Sequence, residues 1–107
     1  MSLDVYLYDD ESEEYYWANI THNLGKMAEE AGIYKALWRP EEINATQAKD
    51  IIDLLETGLA DLKARPEHYE QFNSTNGWGM YEHFVPFVEK YLEACRQYPD
   101  ATIKVSR

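Results

Sequence analysis

The sequence predicts an α+β fold: a small antiparallel sheet of two or three strands that includes both chain termini, with one face packed by three to four helices. Three observations predict it. Leu3-Asp4-Val5-Tyr6-Leu7-Tyr8 alternates, with Leu3, Val5 and Leu7 on one face and Asp4, Tyr6 and Tyr8 on the other. Ala101 to Ser106 alternates again, Ile103 and Val105 facing one way and Thr102 and Lys104 the other. Between these ends, apolar residues recur at helical spacing.

In chain order, Asp9 to Glu14 carries five acids in six residues, which repel one another and favour a solvated turn. Glu14 to Ala18 follows as a second strand, since Tyr15-Tyr16-Trp17 suits a sheet, and the two form a hairpin. Thr21 is an N-cap for a helix with Leu24, Met27, Ala28 and Ala31 on one stripe. Gly32 stops that helix, and Ile33 to Trp38 adds a turn that ends at Arg39-Pro40. A longer helix starts near Thr46 and runs to about Ala64, lined by Ile51, Leu55, Leu59 and Leu62 and widened by Ile52 and Leu54. Lys49 with Asp53, and Asp61 with Arg65, are i, i+4 pairs on its wet side. Pro66 opens a short helix through Phe72, where its missing N–H costs nothing. Asn73 to Gly77 is a loop. The last helix runs from about Gly79 to Gln97 along Tyr81, Phe84, Val85, Val88, Tyr91, Leu92 and Cys95, with a kink or a late start expected at Pro86. Pairing of the terminal strands leaves Tyr6 and Tyr8 beside Thr102 and Lys104 on the face away from the helices. They are either an interaction surface or a pair of aromatics stacking across strands.

Length and composition bound the rest. At 107 residues, with no internal repeat and no Pro-, Gly- or Ser-rich linker, the chain reads as one domain over residues 1–107. A hydrophobic fraction of 45% with nine tyrosines and three tryptophans is enough for a core without disulfides. The lone cysteine, Cys95, sits on an apolar stripe and reads as a buried thiol. No signal peptide and no membrane-length apolar run are expected, which points to the cytoplasm. A net charge of −10 argues against nucleic acid and against an anionic membrane surface as partners. It admits a protein partner with a basic surface, and the sheet admits a homodimer.

Candidate binding residues cluster in three places. Asn19, His22 and Asn23 surround the start of the first helix, where they serve either a ligand or the cap and preceding turn. Trp38 and Arg39 adjoin, and arginine stacks on aromatics. Asn76-Gly77-Trp78-Gly79 places an indole on a tight turn that opens a helix, where Trp78 either anchors a partner, covers a small ligand or closes the end of the core. Nothing in the spacing of His22, His68 and His83 points to a metal, and no cofactor is expected. Glycine-rich phosphate loops, H-E-x-x-H, C-x-x-C and G-x-S-x-G are absent, so no catalytic role is assigned.

Met1 to Leu7, Asn19-Ile20-Thr21-His22-Asn23-Leu24, Leu37-Trp38-Arg39-Pro40-Glu41-Glu42, Asn76-Gly77-Trp78-Gly79 with Tyr81, and the closing Val105-Ser106-Arg107 together resemble a family of small uncharacterised proteins of bacteria and their phages. The resemblance covers nearly the whole chain and implies that both termini belong to the domain. It assigns no role to any residue.

The expected function is a non-enzymatic protein-interaction module of a bacterium or phage, acting through an acidic or tyrosine-bearing surface. One version is an acidic decoy for a basic nucleic-acid-binding surface, which requires carboxylates in rows at phosphate-like spacing and not scattered and interleaved with Lys and Arg. The alternative is a small-ligand-binding or enzymatic domain whose pocket gathers His22, Asn23, Arg39, Asn76 and Trp78.

Overall fold

The computed structural model describes residues 2–107. Among them the chain forms three strands and five α-helices: β1 (Ser2–Tyr8), β2 (Glu14–Thr21), α1 (Gly25–Glu30), α2 (Tyr34–Trp38), α3 (Ile52–Ala64), α4 (Pro66–Glu70), α5 (Tyr81–Gln97) and β3 (Thr102–Ser106). Short 3-10 turns precede α1 (His22–Leu24) and α3 (Ala48–Asp50), and a third covers Pro40–Ile43.

The sheet has the order β2-β1-β3 and is antiparallel throughout. Both terminal strands therefore belong to it, with β1 in the centre. The register explains the placement. Leu3 lies opposite Ile20, Val5 opposite Ala18 and Val105, and Leu7 opposite Tyr16 and Ile103. Residues directly opposite share a face, so both partners add apolar side chains to the same side of β1. Leu3, Val5 and Leu7 are fully buried as a result. β2 extends to Thr21, beyond the expected end at Ala18, because Asn19, Ile20 and Thr21 find partners in Asp4, Leu3 and Ser2.

The helices cover that apolar face, and they number five because Gly32, at φ +77°, breaks the segment from Gly25 to Trp38 into two. Asp50 fixes the approach to α3: its Oδ2 accepts from the backbone N–H groups of Thr46 and Gln47, each at 3.0 Å. The turn at Ala48–Asp50 is a 3-10 turn, so Lys49 is out of α-helical register with Asp53 and pairs instead with Asp100 at 3.3 Å. Asp61 and Arg65 do pair, with Arg65 Nε 3.0 Å from Asp61 Oδ1. The buried face of α3 is Ile51, Leu55, Gly58 and Leu62, with Ile52 and Leu59 partly buried, whereas Leu54 is 40% exposed and does not widen the stripe. Ile33 takes the space a side chain at Gly58 would fill: a Cβ there would lie 2.4 Å from Ile33 Cγ2. α5 begins at Tyr81 and continues through Pro86, whose ring faces solvent. Tyr69, Phe84 and Tyr91 are fully buried, and Tyr16 of the sheet stacks on Tyr91 at 5.9 Å. Cys95 is fully buried, and burial pushes its thiol up to about 12.

The opposite face of the sheet carries Asp4, Tyr6 and Tyr8 from β1, Trp17 and Asn19 from β2, and Thr102 and Lys104 from β3. Tyr6 lies opposite Trp17 on one side and Lys104 on the other. Tyr6 and Tyr8 stack along their own strand with centroids 5.7 Å apart, and Lys104 Nζ sits 5.1 Å from the Tyr8 ring centre. Among the described residues no helix is long and apolar enough to cross a membrane.

Candidate functional site

The end of β2 and the 3-10 turn after it form one wall of an open cleft of about 770 Å³. The loop between α4 and α5 forms the other wall. Five of the candidate residues line it: Asn19, His22, Asn23, Asn76 and Trp78. Ser2, Thr21 and His83 join them, and Ile20 and Leu24 supply apolar floor.

Each wall is fixed by local chemistry. Thr21 caps the 3-10 turn, its Oγ1 accepting from Asn23 N–H at 3.3 Å. Facing it, Asn76 folds its loop on itself: Oδ1 accepts from the Trp78 backbone N–H at 2.9 Å and from the Ser74 hydroxyl. Gly77 and Gly79 adopt φ of +81° and +100°, and Ser74 N–H donates to the Gly79 carbonyl at 3.2 Å to close the loop. At the loop's far end, Asn73 Oδ1 accepts from Tyr81 N–H at 2.6 Å, which satisfies a free donor in the first turn of α5.

Two contacts then join the walls. Asn23 Nδ2 donates to the Trp78 carbonyl at 2.9 Å. Gly79 packs so closely that a Cβ there would meet Asn23 Cβ at 2.7 Å. The bond between the walls uses the loop backbone. The Trp78 side chain takes no part and stands 70% exposed, so it does not close the end of the core.

His22 is partly buried and meets Trp38 edge-on at 6.2 Å. Its Nε2 is buried and has no hydrogen-bond partner among the described residues. Trp38 itself is only 3% exposed and stacks on Tyr34 at 5.3 Å. It is a core residue and offers no binding surface, because α2 turns Ala36, Leu37 and Trp38 inward together. Arg39 does not line the cleft. Its guanidinium lies 3.7 Å from Glu42, one turn along the chain, so the pocket expected around five residues gathers four of them.

On the open sheet face the sequence reading found Tyr6 and Tyr8 but missed Trp17, which is 53% exposed. The Trp17 indole donates to Asp4 Oδ1 at 3.2 Å, and Asn19 Nδ2 donates to the same oxygen at 2.8 Å. Burial among these neighbours and the Asp4 carboxylate raise the Tyr6 phenol above its ordinary value. The period-two signal that placed Tyr6 was present around Trp17, but the length of the hairpin turn was needed to say which side it faces. His83 in the cleft carried no signal in its spacing. Among the described residues, no three His, Cys, Asp or Glu side chains converge as metal ligands.

Outside the acidic hairpin turn, many surface carboxylates are paired with cations. Lys35, Arg39, Lys49, Lys63, Arg65, Arg96 and Arg107, seven of the ten cations, each lie within 4.0 Å of an Asp or Glu oxygen. Asp9 organises the acidic hairpin turn, its Oδ1 accepting from the N–H groups of Glu11 at 2.9 Å and Glu13 at 2.7 Å. Comparison with protein-family models, curated proteins and solved structures gave no match.

Proposed function

We propose that the protein is a ligand-binding module and that the cleft beside Trp78 is its binding site. The observation that carries this reading is the indole itself. A large apolar side chain left 70% exposed gains little from folding, yet the loop beneath it is held by side-chain and backbone bonds on both sides. The backbone that carries this side chain is fixed before any ligand arrives, so little further loop ordering is lost on binding. The volume falls within the roughly 300–1,000 Å³ of small-molecule sites. We place the protein in the cytoplasm of a bacterium or of a phage-infected cell, in line with the resemblance of its sequence blocks. A screen of small fragments by amide NMR tests the reading. Shifts should concentrate at residues 19–24 and 76–83, and Trp78→Ala should remove them. A screen whose shifts all fall elsewhere overturns it.

A second reading is a protein-interaction module acting through the open sheet face, supported by Trp17 standing exposed opposite Tyr6. The acidic hairpin turn would favour a partner with a basic surface. The pairing of seven cations with carboxylates counts against the decoy version, which needs rows of carboxylates free of Lys and Arg. Sedimentation of the wild type and of Trp17→Ser separates the remaining forms. A homodimer that the substitution dissociates favours self-association through the sheet. A monomer whose capture of a host protein survives Trp17→Ser removes the sheet face from consideration.

A further inference from the structure

We infer that the cleft takes a neutral saccharide, an inference that rests on reading it as a binding site. The first argument is charge. Of the twelve described residues that line the cleft, none is Asp, Glu, Lys or Arg, although these types make up 28% of the chain. A phosphate, carboxylate or ammonium group bound there would find no Lys, Arg, Asp or Glu to replace its hydration; the two histidines, His22 and His83, are the only titratable side chains among the described lining residues. A net charge of −10 further repels anions. This composition favours an uncharged ligand.

Shape is the second argument. The exposed Trp78 ring offers a broad apolar plane with a polar rim around it. A ligand that fits needs one flat apolar face and polar groups at its edge. A pyranose ring has both: its C–H groups present an apolar face and its hydroxyls radiate from the edge.

The third argument is the set of hydrogen-bonding groups. Asn23 uses its Nδ2 to hold the loop, and Asn76 uses its Oδ1. Among the described residues, Asn23 Oδ1 and Asn76 Nδ2 have no protein partner, so one acceptor and one donor remain available on either side of Trp78. The hydroxyls of Ser2 and Thr21 can act in either sense. Such a mixed set suits adjacent hydroxyls, each of which is both donor and acceptor. A nucleotide also stacks on an indole, but its phosphates would find no Lys or Arg among the described residues of this lining. A volume of about 770 Å³ leaves room for more than one sugar ring.

The test is a titration followed by amide NMR and tryptophan fluorescence. The probes are glucose, maltose, cellobiose, N-acetylglucosamine and chitobiose, with adenosine and cytidine as uncharged nucleosides and a set of neutral aromatic fragments. Concentrations of about 10 mM reach Kd values in the millimolar range. At least one saccharide should shift the amides of residues 21–23 and 76–79 and change the tryptophan emission. Trp78→Ala should weaken that saccharide about tenfold or more, as loss of an aromatic anchor does. Trp78→Phe should retain part of the affinity. Trp78 is exposed, so neither variant threatens the fold, and an unchanged thermal transition checks this. If saccharides leave the cleft unshifted while nucleosides or fragments occupy it, the saccharide assignment is overturned and the binding reading stands. If no probe perturbs the cleft, both are overturned.

Discussion

Asp61 shows how one side chain couples several elements. The Arg65 guanidinium and the Tyr69 hydroxyl hold its carboxyl down at about 2, below the ordinary value of 3.8. A depressed carboxylate contributes stability that is full above the ordinary value and is lost as pH falls through the folded one. The Asp61→Asn variant should therefore lose the part of the acid limb of the stability curve that lies between 3.8 and about 2. Urea denaturation across that range measures it, and an unchanged limb would contradict the coupling. Tyr69 moves the other way: burial first, then Asp61, pushes its phenol up to about 12 from 10.0. Its contribution is full below 10.0 and lost as pH rises through about 12, so ultraviolet titration should show at least one tyrosine ionising late. Tyr91 is different again. It is fully buried and its hydroxyl has no partner among the described residues. An unsatisfied buried hydroxyl costs about 1–3 kcal/mol, so Tyr91→Phe should leave the melting temperature unchanged or raise it. A clear fall would reveal a buried water bonded to the phenol.

At the scale of elements, α3 against the α1–α2 connection is the most sharply defined contact. Gly58→Ala should gain about 1 kcal/mol of helix propensity. It also forces a Cβ to within 2.4 Å of Ile33 Cγ2 and 3.0 Å of the Ala31 carbonyl oxygen. Overpacking of this kind costs about 1–3 kcal/mol, and a backbone oxygen cannot swing aside as a side chain can. The expected net is a loss of about 1 kcal/mol, or a fall of about 4–8 °C in melting temperature by circular dichroism. A rise would mean that Ile33 yields at little cost. Periodicity made α3 legible in the sequence but misjudged Leu54 and passed over Gly58. A stripe count rewards apolar size, whereas the buried face is decided by what packs against it. For the same reason the 3-10 turn at Ala48–Asp50 was read as helix. Its departure from the α register goes with the pairing of Lys49 with Asp100 and of Ala48 and Lys49 N–H with the carbonyls of Ala101 and Pro99.

For the molecule as a whole, charge sets the solution behaviour. Twenty carboxylates face ten cations, and the ion pairs that form are largely exposed. Each such pair contributes about 0–1 kcal/mol, so the unpaired excess of negative charge outweighs them. Raising the salt from about 10 mM to about 150 mM shortens the Debye length from about 30 Å to about 8 Å and should raise the melting temperature. A fall on adding salt would mean that the pairs dominate.

The sequence by itself determined the α+β class, the inclusion of both termini in one sheet, the face on which Tyr6 and Tyr8 lie, and the breaks at Gly32 and Asn73–Gly77. These follow from period, branching and backbone freedom, which act over a few residues. Only the tertiary structure decided that β1 is central, that Trp38 is core and Trp78 exposed, and that Asn23 and Asn76 meet in one cleft while Arg39 stays outside it. Those outcomes depend on residues far apart in the chain, 55 positions in the bond from Asn23 to the Trp78 carbonyl and more in the pairing of Asp4 with Ser106. Burial of a tryptophan depends on which element arrives to cover it. Local sequence places an indole on a turn or a helix, and the packing of the whole chain determines whether water reaches it.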